Sequence, residues 1–188
     1  MKRVTPSVWL MLILLLPISQ AWADEFQATI DLFKQAGESS RFFDNAYGYA
    51  VFPSVGKGGF VVGGAYGTGR VYAQGAHTGD VEMTQLTLGL QVGGQAFSQI
   101  IFFQDQRAFN EFTGSNFEFG AQATAVAIKA GASASATTTG SSAGTSDGQQ
   151  STDNVGRYYK GMAVFTIAKG GLMVEASLGG QKFEYTPK

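Results

Sequence analysis

Residues 47–74 read YGYAVFPSVGKGGFVVGGAYGTGRVYAQ, and this stretch decides the fold class. Aromatic and β-branched residues, which favour strands, alternate here with glycine, which costs a helix interior about 1 kcal/mol relative to alanine. The stretch predicts a strand over 47–52 that ends at Pro53, a second over 60–66 and a third over 70–74. We expect the glycine-rich segments between them to form turns.

The same pattern continues on the C-terminal side of this stretch. A hairpin turn is expected at 77–80, and further strands are predicted over 81–92, 98–103, 116–130, 155–168, 171–179 and 181–185. Asp105 is expected to cap a short helix that ends near Phe112. These elements predict an α+β, β-dominated fold, in which many short antiparallel strands form one curled or barrel-like sheet.

A short helix is predicted over 24–35, before the strand-rich region, and a second helical turn follows it. Its apolar residues recur at i, i+4 and i+7, and two more follow, so that the set is Phe26, Ile30, Phe33, Phe42 and Phe43. This apolar face has two interpretations: it contacts a membrane surface, or it packs onto the sheet. The acidic residues of the helix favour packing, because anionic lipid would repel them.

The N-terminus has the three parts of a secretory signal peptide. Lys2 and Arg3 precede an apolar run over 8–18, and Ala21-Trp22-Ala23 matches an A-x-A cleavage site. The apolar run has 11 residues, whereas a membrane span takes roughly 20. We therefore expect cleavage after Ala23, export to the periplasm, and one mature domain over 24–188.

Composition excludes several classes of function. The chain has no cysteine and one histidine, His77, so disulfides, thiolate catalysis and Cys-based metal sites are ruled out. Without residues 1–23 the formal net charge falls from −1 to −3, because Lys2 and Arg3 are lost. An acidic chain is a poor candidate for nucleic-acid binding. No set of nucleophile, base and orienting group is visible, so we expect no enzyme activity, cofactor or metal.

Residues 131–154 read GASASATTTGSSAGTSDGQQSTDN and contain no large apolar side chain. Such a segment buries too little surface to offset its conformational entropy. It is predicted to be a low-complexity, mobile loop inserted in the domain.

A Lys-Gly-Gly motif occurs twice, each time after a strand candidate, at Lys57 and at Lys169. If the two hairpins are equivalent, both ammonium groups could bind one anionic group, aided by backbone N–H groups of the glycine turns. Alternatively, both are ordinary exposed turn lysines. Arg70, at the start of a strand candidate, joins them as a candidate lipid-binding cation.

The chain resembles the SYLF domain family, a lipid-binding module, over about residues 38–185. The segments that carry the resemblance are NAYGYAVFPSVGKGGF (45–60), GGAYGTG (63–69), GLQVGGQ (89–95), SQIIFF (98–103) and GGLMVEASLGG (170–180). The resemblance implies a β-rich domain without catalytic activity that binds anionic or phosphoinositide lipids. It also implies membrane contact by the helix at 26–43 and a role for Lys57.

These observations lead to one expected function and one alternative. The first is a periplasmic protein that binds anionic lipid or a membrane surface. The alternative is an envelope structural or protein-interaction module that does not touch lipid.

Overall fold

Strands dominate the fold and pair into a single sheet, with helices packed on both of its faces. The computed structural model describes residues 19–59, 62–88, 93–114, 116–120, 125–128, 157–169 and 180–188. The elements are α1 (Ser19–Gln35), α2 (Gly37–Asn45), β1 (Gly48–Gly59), β2 (Val62–Ala73), β3 (Ala76–Leu88), β4 (Gly93–Phe103), α3 (Gln106–Thr113), β5 (Phe117–Glu118), β6 (Val126–Ile128), β7 (Met162–Ala168) and β8 (Gln181–Pro187). The strand order is β5-β8-β3-β2-β1-β4-β7-β6, antiparallel except between β6 and β7.

The sheet is strongly curled, as the sequence predicts. The rings of Phe52 on β1 and Phe183 on β8 lie 5.8 Å apart between centroids, although β2 and β3 separate their strands. In a flat sheet, three strand spacings would hold them roughly 14 Å apart. Glycine on β2 permits the curl, because a Cβ at Gly69 would lie 2.7 Å from the Phe52 ring, and one at Gly67 would lie 2.8 Å from Val55.

Each face of the sheet carries its own apolar core. The inner, concave face packs with α3, and its largest members include Phe52, Met83, Phe103, Phe112 and Phe183. The outer face of β1, β4 and β7 packs with α1 and α2, through Phe26, Ile30, Phe33, Phe42, Val51, Ile100, Phe102, Phe165 and Ile167. Among the described side chains, the outer face of β2, β3 and β8 contributes no buried residue to that second core.

Pro53 does not end the first strand, so that prediction is wrong. β1 continues through it to Gly59, and its register with both neighbours shifts between Val51 or Phe52 and Val55. This β-bulge accommodates a residue that has no N–H group to give to the ladder. The Pro53 carbonyl accepts a hydrogen bond from Ser98 Oγ at 2.7 Å.

The predicted hairpin turn at 77–80 is also wrong. The chain turns at Gln74 and Gly75, both with positive φ (51° and 82°), and His77 already belongs to β3. Positive φ at both residues is typical of the two-residue hairpin turn whose backbone twist matches the twist of the flanking strands. The strands predicted over 60–66 and 70–74 are one continuous strand, β2.

The helices agree better with their sequence patterns. α1 ends at Gln35 as predicted, but in the intact chain it begins at Ser19 rather than at Asp24. α2 contains the expected second helical segment, and Asp105 caps α3 by accepting a hydrogen bond from the Ala108 N–H at 2.8 Å. Of the strand predicted over 116–130, the described residues form only the short β5 and β6, and 121–124 and 129–130 lie outside the described residues. Residues 131–154 and 171–179 lie outside the described residues.

Candidate functional site at one end of the sheet

Three of the described lysines mark one end of the sheet, where β1, β3 and β7 end and β2, β4 and β8 begin. We call this the lysine end, after Lys57 near the end of β1, Lys169 directly after β7, and Lys182 near the start of β8. The turn at Gln74 and Gly75 lies at the opposite end.

Lys57 lies within β1 rather than in a turn, and its side chain belongs to the inner face. It pairs with Ala65 on β2, and the same row continues to Gln85 on β3 and Gln181 on β8, all of which are buried. On its other side Lys57 pairs with Gln95 of β4. Among the described residues, Lys57 forms no ion pair with a carboxylate, unlike Lys169 and Lys182.

A cluster of buried amides lies beside this row. Gln99 Nε2 donates to Gln181 Oε1 at 3.1 Å, and Gln181 Nε2 donates back to Gln99 Oε1 and also to Gln85 Oε1, both at 3.4 Å. The reciprocal pair joins β4 to β8 across the concave face. Thr166 pairs in register with Gln99, and its buried hydroxyl has no hydrogen-bond partner within the described part of the chain.

Lys169 lies at the same end but on the other side of the sheet. Its Nζ forms an ion pair with Glu25 Oε1 of α1 at 3.3 Å, and its backbone N–H donates to the Ala96 carbonyl at 2.8 Å. Lys57 and Lys169 are therefore near each other along the strands, yet they extend from opposite faces. The structure does not bring the two lysines together on one face, and it gives Lys169 a role in holding α1.

Arg70 lies on the outer face of β2, away from the lysine end. Its guanidinium carbon is 4.2 Å from the centroid of the Phe26 ring, and its Nε is 3.8 Å from Asp80 Oδ1. A cation over an aromatic face contributes about 0.5–2 kcal/mol. In this structure Arg70 therefore helps to dock α1 on the sheet.

The predicted membrane-contact residues of the helices pack on the sheet. Phe26, Ile30, Phe33 and Phe42 are at most 6% exposed. The Phe43 ring is half-buried and lies 4.9 Å from the Phe102 ring, centroid to centroid. Lipid contact through this face would require the helices to leave the sheet.

Two tyrosines near this helical layer are held neutral. Burial raises the pKa of Tyr158 to about 12, and burial together with the neighbouring Tyr72 raises the pKa of Tyr49 to about 12. Both side chains pack among aromatic rings, including that of Phe42 against Tyr158 at 5.1 Å. They belong to the packing of the outer face rather than to an acid–base site.

Sequence reasoning missed two exposed apolar residues at the lysine end. Tyr66 on β2 is 53% exposed and Leu86 on β3 is 82% exposed, both on the outer face. The leucines of this segment alternate with polar residues, a pattern typical of a buried strand face. The structure instead buries Gln85 and Met83 and leaves Leu86 outside.

Neither a metal centre nor a membrane-spanning helix is found where the structure describes the chain. No group of three or more His, Asp or Glu side chains there could hold a metal ion. None of the helices in that part is both long and apolar enough to cross a membrane.

Comparisons with known proteins agree with the family resemblance. The family model Ysc84, described as "Las17-binding protein actin regulator", matches residues 84–186. The chain is also 28% identical over 158 residues to beta cell expansion factor A of Aeromonas veronii, across 83% of this chain and 52% of that protein. The chain thus spans about half the length of this relative. Since the family model covers more than half of the chain, the protein belongs to the Ysc84 family, which is the SYLF domain family.

Proposed function

We propose that the mature chain from Asp24 is exported to the periplasm and binds anionic lipid surfaces there without catalysis. Family membership supports the general activity, because the SYLF family is associated with lipid binding. The signal-like residues 1–23 support the location. The family description names Las17 binding and actin regulation, but we do not extend these to an exported chain.

Lys57 is the observation that carries the proposal. It is a half-buried residue on the concave face without a carboxylate partner in the described residues, next to the exposed Gln95 and in one row with Gln85 and Gln181. An ammonium group binds a lipid phosphate as a point charge, and the amide of the exposed Gln95 can donate to phosphate oxygens or exchange hydrogen bonds with headgroup hydroxyls. A phosphoinositide-like headgroup offers both kinds of acceptor.

The one histidine supports the absence of catalysis. His77 Nε2 lies 3.1 Å from the Gly79 carbonyl and 3.2 Å from Asp80 Oδ1, so this nitrogen faces two acceptors within its own strand segment. No serine or threonine hydroxyl is bound to it where the structure describes the chain. A general base needs contact with the group whose proton it takes.

Vesicle flotation of the chain from Asp24 tests the proposal. Vesicles of phosphatidylcholine alone, or mixed with phosphatidylglycerol or phosphatidylinositol, separate charge from headgroup preference. A lysine near an anionic surface contributes about 1 kcal/mol, so Lys57→Gln should weaken binding to anionic vesicles about fivefold.

Lys160→Gln is the matched control for this change. Lys160 is exposed before β7, at the opposite end of the sheet from Lys57, so its loss changes the net charge equally. Equal weakening by both variants would mean that only net charge matters. Failure of the unmodified chain to float with any anionic vesicle would contradict lipid binding and favour a protein-interaction module.

A further inference from the structure

The helices of this domain cover only one half of the outer sheet face. α1 and α2 pack on β1, β4 and β7, whereas Tyr66 on β2 and Leu86 on β3 are 53% and 82% exposed. Leu86 pairs in register with Gly64, so its neighbour on β2 has no side chain to shield it. Thr84, which pairs with Tyr66 on one side and with Lys182 on the other, is exposed as well. This half of the face is therefore an open sheet surface with an apolar pair at the lysine end.

Two ion pairs on this surface cancel their own charges. Lys182 on β8 lies 3.7 Å from Glu118 on β5. Two rows further from the lysine end, Arg70 lies 3.8 Å from Asp80, and its guanidinium is also held over an aromatic ring of α1. Both cations therefore have a carboxylate partner of their own and do not balance other acidic groups.

The row between these two pairs carries unbalanced negative charge. Glu82 on β3 lies directly opposite Glu184 on β8, both are exposed, and neither forms an ion pair within the described part of the chain. Like charges in directly opposed positions destabilise a sheet, so packing within this domain does not explain their placement. A cationic group from another molecule would relieve the repulsion. The surface, apolar at the lysine end and acidic in its middle, thus complements a partner that is apolar and basic.

The dimensions of this surface fit a single helix. β2, β3 and β8 are neighbours in the sheet and lie about 4.8 Å apart, so they span roughly 10 Å, and a helix with its side chains is about 10–12 Å wide. From Leu86 to Glu82 the distance along β3 is about 14 Å. On a helix laid along β3, residues seven or eight positions apart share one face at a distance of about 10–12 Å. The length of a lysine side chain covers the remaining distance.

We propose that this surface docks a basic amphipathic helix of a partner protein. Leu86 and Tyr66 contact the apolar stripe of that helix, and the opposed glutamates pair with its lysine or arginine side chains. The apolar contacts supply the affinity, whereas the glutamates raise the association rate and select the charge of the partner. A second copy of this chain would bring four glutamates together, and an anionic bilayer would be repelled by them. Because Lys57 lies on the other face of the sheet, the inference does not depend on lipid binding.

Three fluorescently labelled helical peptides of about 18 residues are the probes for the chain from Asp24. The first has a stripe of leucines and, seven or eight positions further on the same face, lysines. The second has glutamates in place of the lysines, and the third has serines in place of the leucines. Fluorescence anisotropy should show binding of the first peptide, which weakens as salt rises because salt screens surface charges. The other two should bind at least tenfold more weakly.

Variants of this chain locate the binding surface. Leu86→Ser should weaken binding of the first peptide at least tenfold, whereas Leu32→Ser, which changes an exposed leucine of α1, should have no effect. Glu82→Gln should weaken binding about two- to fivefold and also raise the temperature of thermal unfolding, because it removes the repulsion with Glu184. A gain in stability together with a loss of binding excludes a folding defect. Glu111→Gln, an equal change of charge on α3, should leave binding unchanged.

The remaining outcomes would overturn the proposal. The first is failure of the lysine peptide to bind, and the second is equal binding of the lysine and glutamate peptides. Normal binding by Leu86→Ser would show that the peptide contacts another surface. A dimer in sedimentation that Leu86→Ser converts to a monomer would assign the surface to a second copy. Vesicle flotation that is lost in Leu86→Ser but kept in Lys57→Gln would assign it to a bilayer, whereas loss of flotation in Lys57→Gln alone concerns only the proposed lipid site.

Discussion

The reciprocal amide pair between Gln99 and Gln181 can be broken from one side or removed from both, and the two perturbations should differ in their effect on stability. Methionine is close to glutamine in shape but cannot replace its hydrogen bonds. Gln99→Met removes both bonds of the pair and leaves Gln181 Oε1, on a residue 1% exposed, without its 3.1 Å donor. A buried polar group without a partner costs about 1–3 kcal/mol.

Gln181→Met should cost more, about 3 kcal/mol, because Gln99 then loses partners on both its oxygen and its nitrogen. In the double variant neither amide of the pair remains, and Gln85 loses only the bond that Gln181→Met alone already removes. We therefore expect the double variant to lose about 2 kcal/mol less free energy of unfolding than the two single losses add up to. A coupling of this size is typical of residues in one hydrogen-bond network.

Urea unfolding of the chain from Asp24, followed by far-UV circular dichroism, gives the three free energies of unfolding and their coupling. If the slope of the free energy of unfolding against urea concentration is the same in all variants, the two-state comparison between them is valid. Losses that simply add would refute the reasoning, because they would mean that the two amides do not depend on each other.

Three further predictions concern the fold, its pH dependence and its processing. Gly69→Ala should lower the free energy of unfolding by about 1–3 kcal/mol, because the added Cβ would overlap the Phe52 ring of β1. Gly56→Ala is the control and should cost nothing, because the space around its Cβ is open. Equal effects of the two changes would contradict the packing explanation. Because the pKa values of Tyr49 and Tyr158 are raised from 10.0 to about 12 in the folded state, the unfolded state loses these protons first. Stability should therefore fall as pH rises from 10 towards 12, and urea unfolding across this range should show a smaller fall in a Tyr49→Phe, Tyr158→Phe double variant. Mass spectrometry of the exported protein should find Asp24 at the N-terminus, and an intact Met1 would disprove cleavage after Ala23.

Strand content could be predicted from sequence because glycine, aromatic and β-branched residues carry a local preference. The bulge at Pro53 could not, because it depends on pairing with strands on both sides. Its consequence for the site is large. A strict alternation would place Lys57 on the opposite face from Phe52, but the extra residue in the bulge places both on the inner face.

The helical predictions fared better where the signal was local. A capping aspartate such as Asp105 acts within one turn, and the spacing of Phe26, Ile30 and Phe33 defines one face without reference to the rest of the fold. Which surface that face contacts depends on the tertiary fold, which the local spacing does not determine. Likewise, nothing in the alternation around Leu86 reveals that Gln85 is the buried neighbour, because the amide partner that makes its burial favourable, Gln181, lies 96 residues away.

The contact between Glu25 and Lys169 joins residues that are 144 positions apart. In the export that we propose, the N-terminal segment would cross first, and β7 and Lys169, against which α1 packs, would cross near the end. Contacts between such distant segments form slowly, since a long loop must close before they stabilise anything. The apolar face of α1, which packs on β1, β4 and β7, is therefore fully covered only when β7 arrives. Before β7 arrives, the incompletely covered apolar surface exposes the chain to aggregation.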